Sequence, residues 1–261
     1  MGCRWYVAMT GAEFLQFTPI QTDAKEEKGR IATPVRAPAR NDGLSGNPLA
    51  LAWMACRFSL ENPGLGNLPK QLPVGSLLIL DDHIPFDGHD VALISKTAAQ
   101  TAALWGCDGI LLDLQRQWEP QALIHAICRD APCPVAVTER YAQDAPCAVF
   151  LSCDLNIPLR AAVAPWKGRE LWLDVAVGMQ EFTLSAKGCE VSPILRPQGQ
   201  FPHEGNHCRY RIKKEPRSVV FSLCRDAQML PGLLEEAASL GITKSVGLYQ
   251  ELYKKEITLD W

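Results

Sequence analysis

The residues able to do chemistry fall at the ends of apolar runs. Asp81 and Asp82 follow Ser76-Leu77-Leu78-Ile79-Leu80, Asp113 and Gln115 close Cys107-Asp108-Gly109-Ile110-Leu111-Leu112-Asp113-Leu114-Gln115, Glu139 follows Pro134 to Thr138, and Glu251 follows Ser245 to Leu248. A strand alternates its faces, so Leu111, Asp113 and Gln115 point one way and Ile110, Leu112 and Leu114 the other. Carboxylates that converge at strand ends suit acid and base catalysis on a glycosidic bond, where one acid protonates the leaving oxygen and a second negative group supports the oxocarbenium-like transition state. Trp118, Tyr141 and Tyr249 lie close behind those strands and offer stacking surfaces.

Distant acids become neighbours only if the elements carrying them return to one mouth. Asp90 is placed to cap a helix from Val91 to Trp105, in which Val91, Ile94, Ala98, Thr101, Ala102 and Trp105 keep helical spacing and which Gly106 closes. Pro120 opens a helix through Arg129, Leu159 to Trp166 has room for a short one, and Ala227 to Leu240 reads as another that ends at Gly241. Between them lie strand-like runs at Leu49 to Phe58, Ser76 to Leu80, Gly109 to Asp113, Pro134 to Thr138, Ala148 to Leu151, Leu171 to Val177, Val219 to Leu223 and Ser245 to Leu248. This alternation predicts an α/β chain folded as a (β/α)8 TIM-like barrel, with ligands at the C-terminal ends of its strands. Glu181 to Ser185, Glu190 to Leu195 and Cys208 to Lys213 have period 2 and are separated by Gly and Pro, which predicts a small antiparallel β insertion near residues 178–214. Residues 1–261 read as one barrel-like domain, with 1–48 as an N-terminal extension that contains a short strand at Tyr6 to Met9 and a charged, Pro-containing mobile loop at 23–40.

Composition excludes several classes. An apolar content of 47% over 261 residues supplies a large core, and a net charge of -3 with interspersed basic residues gives no footprint for nucleic acid or an anionic membrane. The expected ligand is therefore a small molecule or oligosaccharide, with no nucleic acid, no membrane and no cofactor, while the oligomeric state stays open. No apolar run spans a bilayer and the first residues lack an export pattern, so a cytoplasmic location is expected. The ten cysteines then read as reduced thiols, those at 107, 147, 153 and 224 sitting in apolar runs as small hydrophobes. No G-x-G-x-x-G, P-loop or G-x-S-x-G pattern occurs.

On two segments the chain resembles the family-18 glycoside hydrolases, the chitinase-like barrels. Their fourth strand carries D-G-x-D-x-D-x-E; here Asp108, Gly109 and Asp113 match, Leu111 replaces the second Asp, and Gln115 replaces the terminal Glu. Ser245-Val246-Gly247-Leu248-Tyr249-Gln250-Glu251-Leu252 is similar to the family's last strand, where Tyr249 would take the place of the aromatic sugar floor. The resemblance implies a barrel that binds carbohydrate, and with the strand-end positions it gives Asp81, Asp82, Gln115, Tyr141, Tyr249 and Trp118 as the expected substrate contacts. Because an amide cannot donate a proton as a carboxylic acid does, cleavage would need Glu139 and Glu251 as the catalytic pair beside Asp113. A retaining pair stands about 5 to 5.5 Å apart and an inverting pair about 6.5 to 9.5 Å.

Two other readings compete. A non-catalytic scaffold would keep the barrel and present the β insertion to a partner. A metal-dependent hydrolase would use Asp81-Asp82-His83-Ile84-Pro85-Phe86-Asp87-Gly88-His89-Asp90, although a turn at Asp87-Gly88 and a cap at Asp90 account for the same residues and no metal ligand is assigned. His203-Glu204-Gly205-Asn206-His207 spells H-E-x-x-H, but Pro202, Gly205 and Asn206 disfavour the helix that pattern needs.

Overall fold

The computed structural model describes residues 3–9, 50–54, 72–82, 90–116, 119–193, 200–248 and 251. The expected loop 23–40, most of the 83–90 connection, and the side chains of Trp118 and Tyr249 lie outside the described residues. Parallel strands form a barrel sheet and a second sheet is antiparallel, so the fold is of the α/β barrel class. The chain divides into two compact units, residues 5–150 and residues 151–261 together with 1–4.

In the first unit the elements run β1 (Arg4–Met9), β2 (Ala50–Met54), β3 (Leu77–Asp81), α1 (Val91–Trp105), β4 (Gly109–Asp113), α2 (Gln121–Asp130), β5 (Val135–Thr138), the single turn α3 (Glu139–Ala142) and β6 (Ala148–Ser152). Each strand pairs in parallel with the next, with Tyr6 opposite Ala50, Ala52 opposite Leu77, Asp81 opposite Asp113, Ile110 opposite Val135 and Ala136 opposite Ala148. Their apolar runs are buried on both faces, as Leu77, Leu78, Leu80, Ile110, Leu111 and Leu112 show, which is what parallel strands between the lumen and a helical layer require. Helix α1 starts and stops as the sequence predicts. The Asp90 carboxylate accepts from the backbone N–H of Ala92 and Leu93 at 2.9 and 3.2 Å, and Gly106 ends the helix at φ 60° with its N–H on Ala102 and Ala103.

The second unit adds α4 (Leu159–Val163), β7 (Leu171–Asp174), β8 (Gly178–Ser185), β9 (Gly188–Pro193), β10 (His203–Gly205), β11 (Cys208–Glu215), β12 (Ser218–Arg225), α5 (Leu230–Ser239) and β13 (Lys244–Leu248). Strand β13 pairs in parallel with β7, while β8 to β12 form the antiparallel sheet in the order β10-β11-β12-β8-β9. Trp172 of β7 is fully buried, its indole N–H donates to Glu170 at 3.0 Å, and the Lys244 ammonium lies 4.5 Å from its ring centroid.

Two expectations change, at Val219 to Leu223 and at Glu139. Val219 to Leu223 is no barrel strand: it lies within β12, antiparallel to β8 and β11, so the inserted sheet runs to Arg225 rather than ending near 214. The adjacent Val219, Val220 and Phe221 look like a buried parallel run, yet Ser218 and Ser222 keep the period of a strand with one polar face. The extension 1–48 contributes a parallel strand, because β1 pairs with β2. Glu139 does not end a strand; it is the first residue of α3.

Candidate functional site

Strand register brings three carboxylates and an amide to the C-terminal ends of β3 and β4. Asp81 and Asp113 are directly opposed in the parallel ladder, and the Gln115 side-chain amide donates to Asp113 Oδ1 at 2.6 Å. Asp113 is half-buried at the strand end and Gln115 is exposed just beyond it. Burial pushes the Asp113 carboxyl above the usual range; the bond from Gln115 works against that shift, and the charges of Asp81 and Asp82 add to it. Asp113 is thus the group in this cluster whose surroundings favour a proton.

Asp82 behaves differently although it is the next residue. Alternation turns its side chain away from that of Asp81, and it is almost wholly buried. Its two oxygens accept from the backbone N–H of Gln115 at 2.8 Å and of Arg116 at 2.9 Å, so it holds the turn that follows β4. Strand β5 and the α3 turn after it brace the same loop. The Thr138 hydroxyl donates to the carbonyl of Leu114 at 2.9 Å, and the Tyr141 hydroxyl donates to the carbonyl of Arg116. Sequence reasoning named Asp82 and Tyr141 as ligand contacts and passed over Thr138; the geometry makes all three supports of the loop bearing Gln115. The signal for Asp82 was present, because a second acid directly after a strand-end acid must point elsewhere.

Glu139, next to Thr138, is exposed at the start of α3. Glu251 belongs to the second unit, where its carboxylate accepts from the backbone N–H of Val177 at 3.1 Å, just past β7. Asp108, the first residue of the motif, sits at the opposite end of β4 from Asp113 and accepts from the buried Tyr6 hydroxyl, a position at the stability face of a barrel rather than its mouth.

Of the other constellations, the Asp81 to Asp90 loop lies mostly outside the described residues, while the H-E-x-x-H segment is described in full. Asp90 is the α1 cap, and among the described residues no group of three His, Cys, Asp or Glu side chains could hold a metal ion. The H-E-x-x-H residues form no helix: His203, Glu204 and Gly205 are strand β10, and Asn206 and His207 are the turn into β11, at φ 52° and 53°. His207 hydrogen-bonds Glu236 of α5 at 2.7 Å, and Glu236 also takes Arg160 at 3.3 Å. None of the nine described cysteines is in a disulfide, and burial pushes the Cys107 thiol up to about 11. No described helix is long and apolar enough to cross a membrane.

No protein-family model matches this chain, and no curated protein matches it. Among solved structures it is similar to the spore cortex-lytic enzyme SleL of Bacillus cereus, with a TM-score of 0.46 and 11% identity over 96% of this chain and 72% of that one. SleL of Bacillus megaterium QM B1551 gives 0.46 and 11% over 94% and 70%. A Bacillus subtilis protein described as a sporulation-specific glycosylase, ydhD, gives 0.39 and 7% over 66% and 80%.

Proposed function

We propose that this α/β barrel binds a carbohydrate at the C-terminal ends of β3 and β4, with Asp113 and Gln115 as the polar contacts and Asp81 beside them. One observation carries the reading: the 2.6 Å bond from Gln115 to Asp113 fixes the amide so that its carbonyl oxygen and the second Asp113 oxygen stay available for sugar hydroxyls. Asp82 acts as the positioning residue, because it holds the Gln115 backbone. Trp118 and the ring of Tyr141 are the proposed stacking surfaces and an oligosaccharide is the ligand, with no cofactor required. N-acetylated oligosaccharides are the substrate class that the family-18 resemblance suggests.

Cleavage by the family's usual route is not part of this reading, since Gln115 occupies the acid's position. Calorimetric titration with chito-oligosaccharides tests binding, and Asp113→Ala should abolish it. Equal affinity in wild type and Asp113→Ala, or no binding by either, overturns the site.

Gln115→Glu supplies a sharper test. It would set a second carboxyl at hydrogen-bonding distance from Asp113, and two such groups share one proton, which is how a carboxylic acid is kept protonated near neutral pH. The variant should gain glycosidase activity of about 10² to 10⁴ over the wild type, the contribution of general-acid catalysis.

A further inference from the structure

The antiparallel sheet is sharply two-faced. Its ladder places Val191, Phe182, Phe221 and Ile212 in one cross-strand row, with Leu184, Val219 and Lys214 in the next row toward the hairpin tips. All four strand carboxylates, Glu181, Glu190, Glu204 and Glu215, fall on the opposite face by the same register. That face carries its own polar pairs: Arg211 donates to Ser222, Ser222 donates to Glu181, and Lys213 pairs with Glu215 at 2.8 Å.

The apolar face is not covered toward its tip. Leu184 is 43% exposed, Val191 55% and Ile212 45%, and an apolar hollow of about 260 Å³ opens between Phe182, Phe221, Tyr210 and Asn156. Three cations stand at the same end. Lys214 lies on the apolar face, and Lys187 and Arg217 occupy the β8–β9 and β11–β12 turns, which register as neighbours through the Ser185 to Ser218 pair. None of the three makes an ion pair among the described residues, in contrast to Lys213. Aliphatic side chains and these cations therefore share one edge, where the nearest strand carboxylate, Glu215, lies on the opposite face and is already bonded to Lys213 and Ser218. The chain's net charge of -3 hides this, because the acids are segregated to the other face rather than missing.

We propose that this edge is a peripheral docking surface for an anionic lipid membrane. Leu184, Val191 and Ile212 enter the headgroup region while Lys187, Lys214 and Arg217 meet anionic headgroups. A membrane surface is the partner that rewards both features at once, since interfacial binding adds apolar insertion to electrostatic attraction, each basic residue near an anionic surface strengthening it about fivefold. A soluble anion would use the cations and leave the aliphatic side chains in water.

The test is co-sedimentation of the full chain with phosphatidylserine-containing vesicles and with pure phosphatidylcholine vesicles. Binding to the first and not the second is expected, and it should disappear at about 1 M salt, where charges are screened within roughly 3 Å. Lys187→Ser, Lys214→Ser and Arg217→Ser combined should weaken it about 100-fold. Leu184→Ser, Val191→Ser and Ile212→Ser combined should weaken it about tenfold or more. Leu104→Ser, at an exposed leucine of α1, should leave it unchanged. Far-UV circular dichroism checks that each variant is folded. No binding to anionic vesicles, equal binding to neutral ones, or variants that bind like wild type would overturn the proposal. So would self-association abolished by the aliphatic variant without vesicle binding, which would make a second copy the occupant.

Discussion

Asp82 offers the most direct test of how the candidate site is held together. It is 2% exposed, and its two oxygens accept from consecutive backbone N–H groups at 2.8 and 2.9 Å. A hydrogen bond to a charged group is worth about 1.5 to 3 kcal/mol, and a buried donor left without its acceptor costs about 1 to 3 kcal/mol. Gln115 and Arg116 are themselves exposed, so water can recover part of the loss at their amides. Asp82→Ala should therefore cost about 2 to 4 kcal/mol, short of the full sum of two such bonds. Asp82→Asn keeps one acceptor but turns an NH2 group toward a backbone N–H, so it should fall only slightly short of the alanine variant. Urea unfolding followed by far-UV circular dichroism reads this as a lower transition midpoint at unchanged slope, with hydrogen exchange at Gln115 and Arg116 reporting the local opening. A loss below about 0.5 kcal/mol in Asp82→Ala, the range of ordinary surface substitutions, would refute the assignment of Asp82 as the brace of the β4 loop.

Asp113→Asn should stabilise the protein at neutral pH and leave it unchanged near pH 3. The native carboxyl holds its proton above the usual range, so the stability it contributes is complete at low pH and is lost as pH rises through its folded value; thermal melts of both proteins at the two pH values check the sign. Gly106→Ala should cost about 1 kcal/mol, because φ is +60° and the new Cβ would meet Val74 Cγ1 at 3.2 Å; a shift in urea midpoint measures it. Arg225→Met should cost about 2 kcal/mol by leaving the carbonyls of Cys153 and His207, now 3.0 and 3.2 Å from the guanidinium, without their donor, and a variant as stable as wild type would show those bonds to be dispensable.

Where local chemistry decides an element, the sequence was readable. Asp90 and Gly106 bracket α1 because a capping carboxylate and a left-handed glycine leave the backbone few alternatives, and a run such as Ile110-Leu111-Leu112 has no stable place outside a sheet buried on both faces. The misreadings have a common cause. Val219-Val220-Phe221 is apolar enough to pass for a barrel strand, and only its partners in β8 and β11 reveal that one face is polar. The site was legible to a similar depth: Asp113 and Gln115 follow from strand period alone, whereas the bracing by Thr138 and Tyr141 depends on which strand lies beside β4, a fact of pairing rather than of composition.

The same division explains why the side chain at Gln115 can change without disturbing the fold. Its backbone N–H is held by Asp82 and the carbonyls on either side of it by Thr138 and Tyr141, so the loop keeps its shape whatever the side chain at that position. What the side chain controls is the protonation of Asp113, which the amide opposes by donating to the ionised carboxylate. A glutamate there would remove that donor and add a charge, and both changes push the pair toward holding a proton. The Gln115→Glu variant should therefore match the wild type in urea midpoint at low pH, where both carboxyls are protonated, and fall below it as pH rises and the pair must ionise. A parallel pH dependence in the two proteins would mean that residue 115 and Asp113 do not form one electrostatic unit, and the role given to Gln115 in setting the protonation of Asp113 would fail with it.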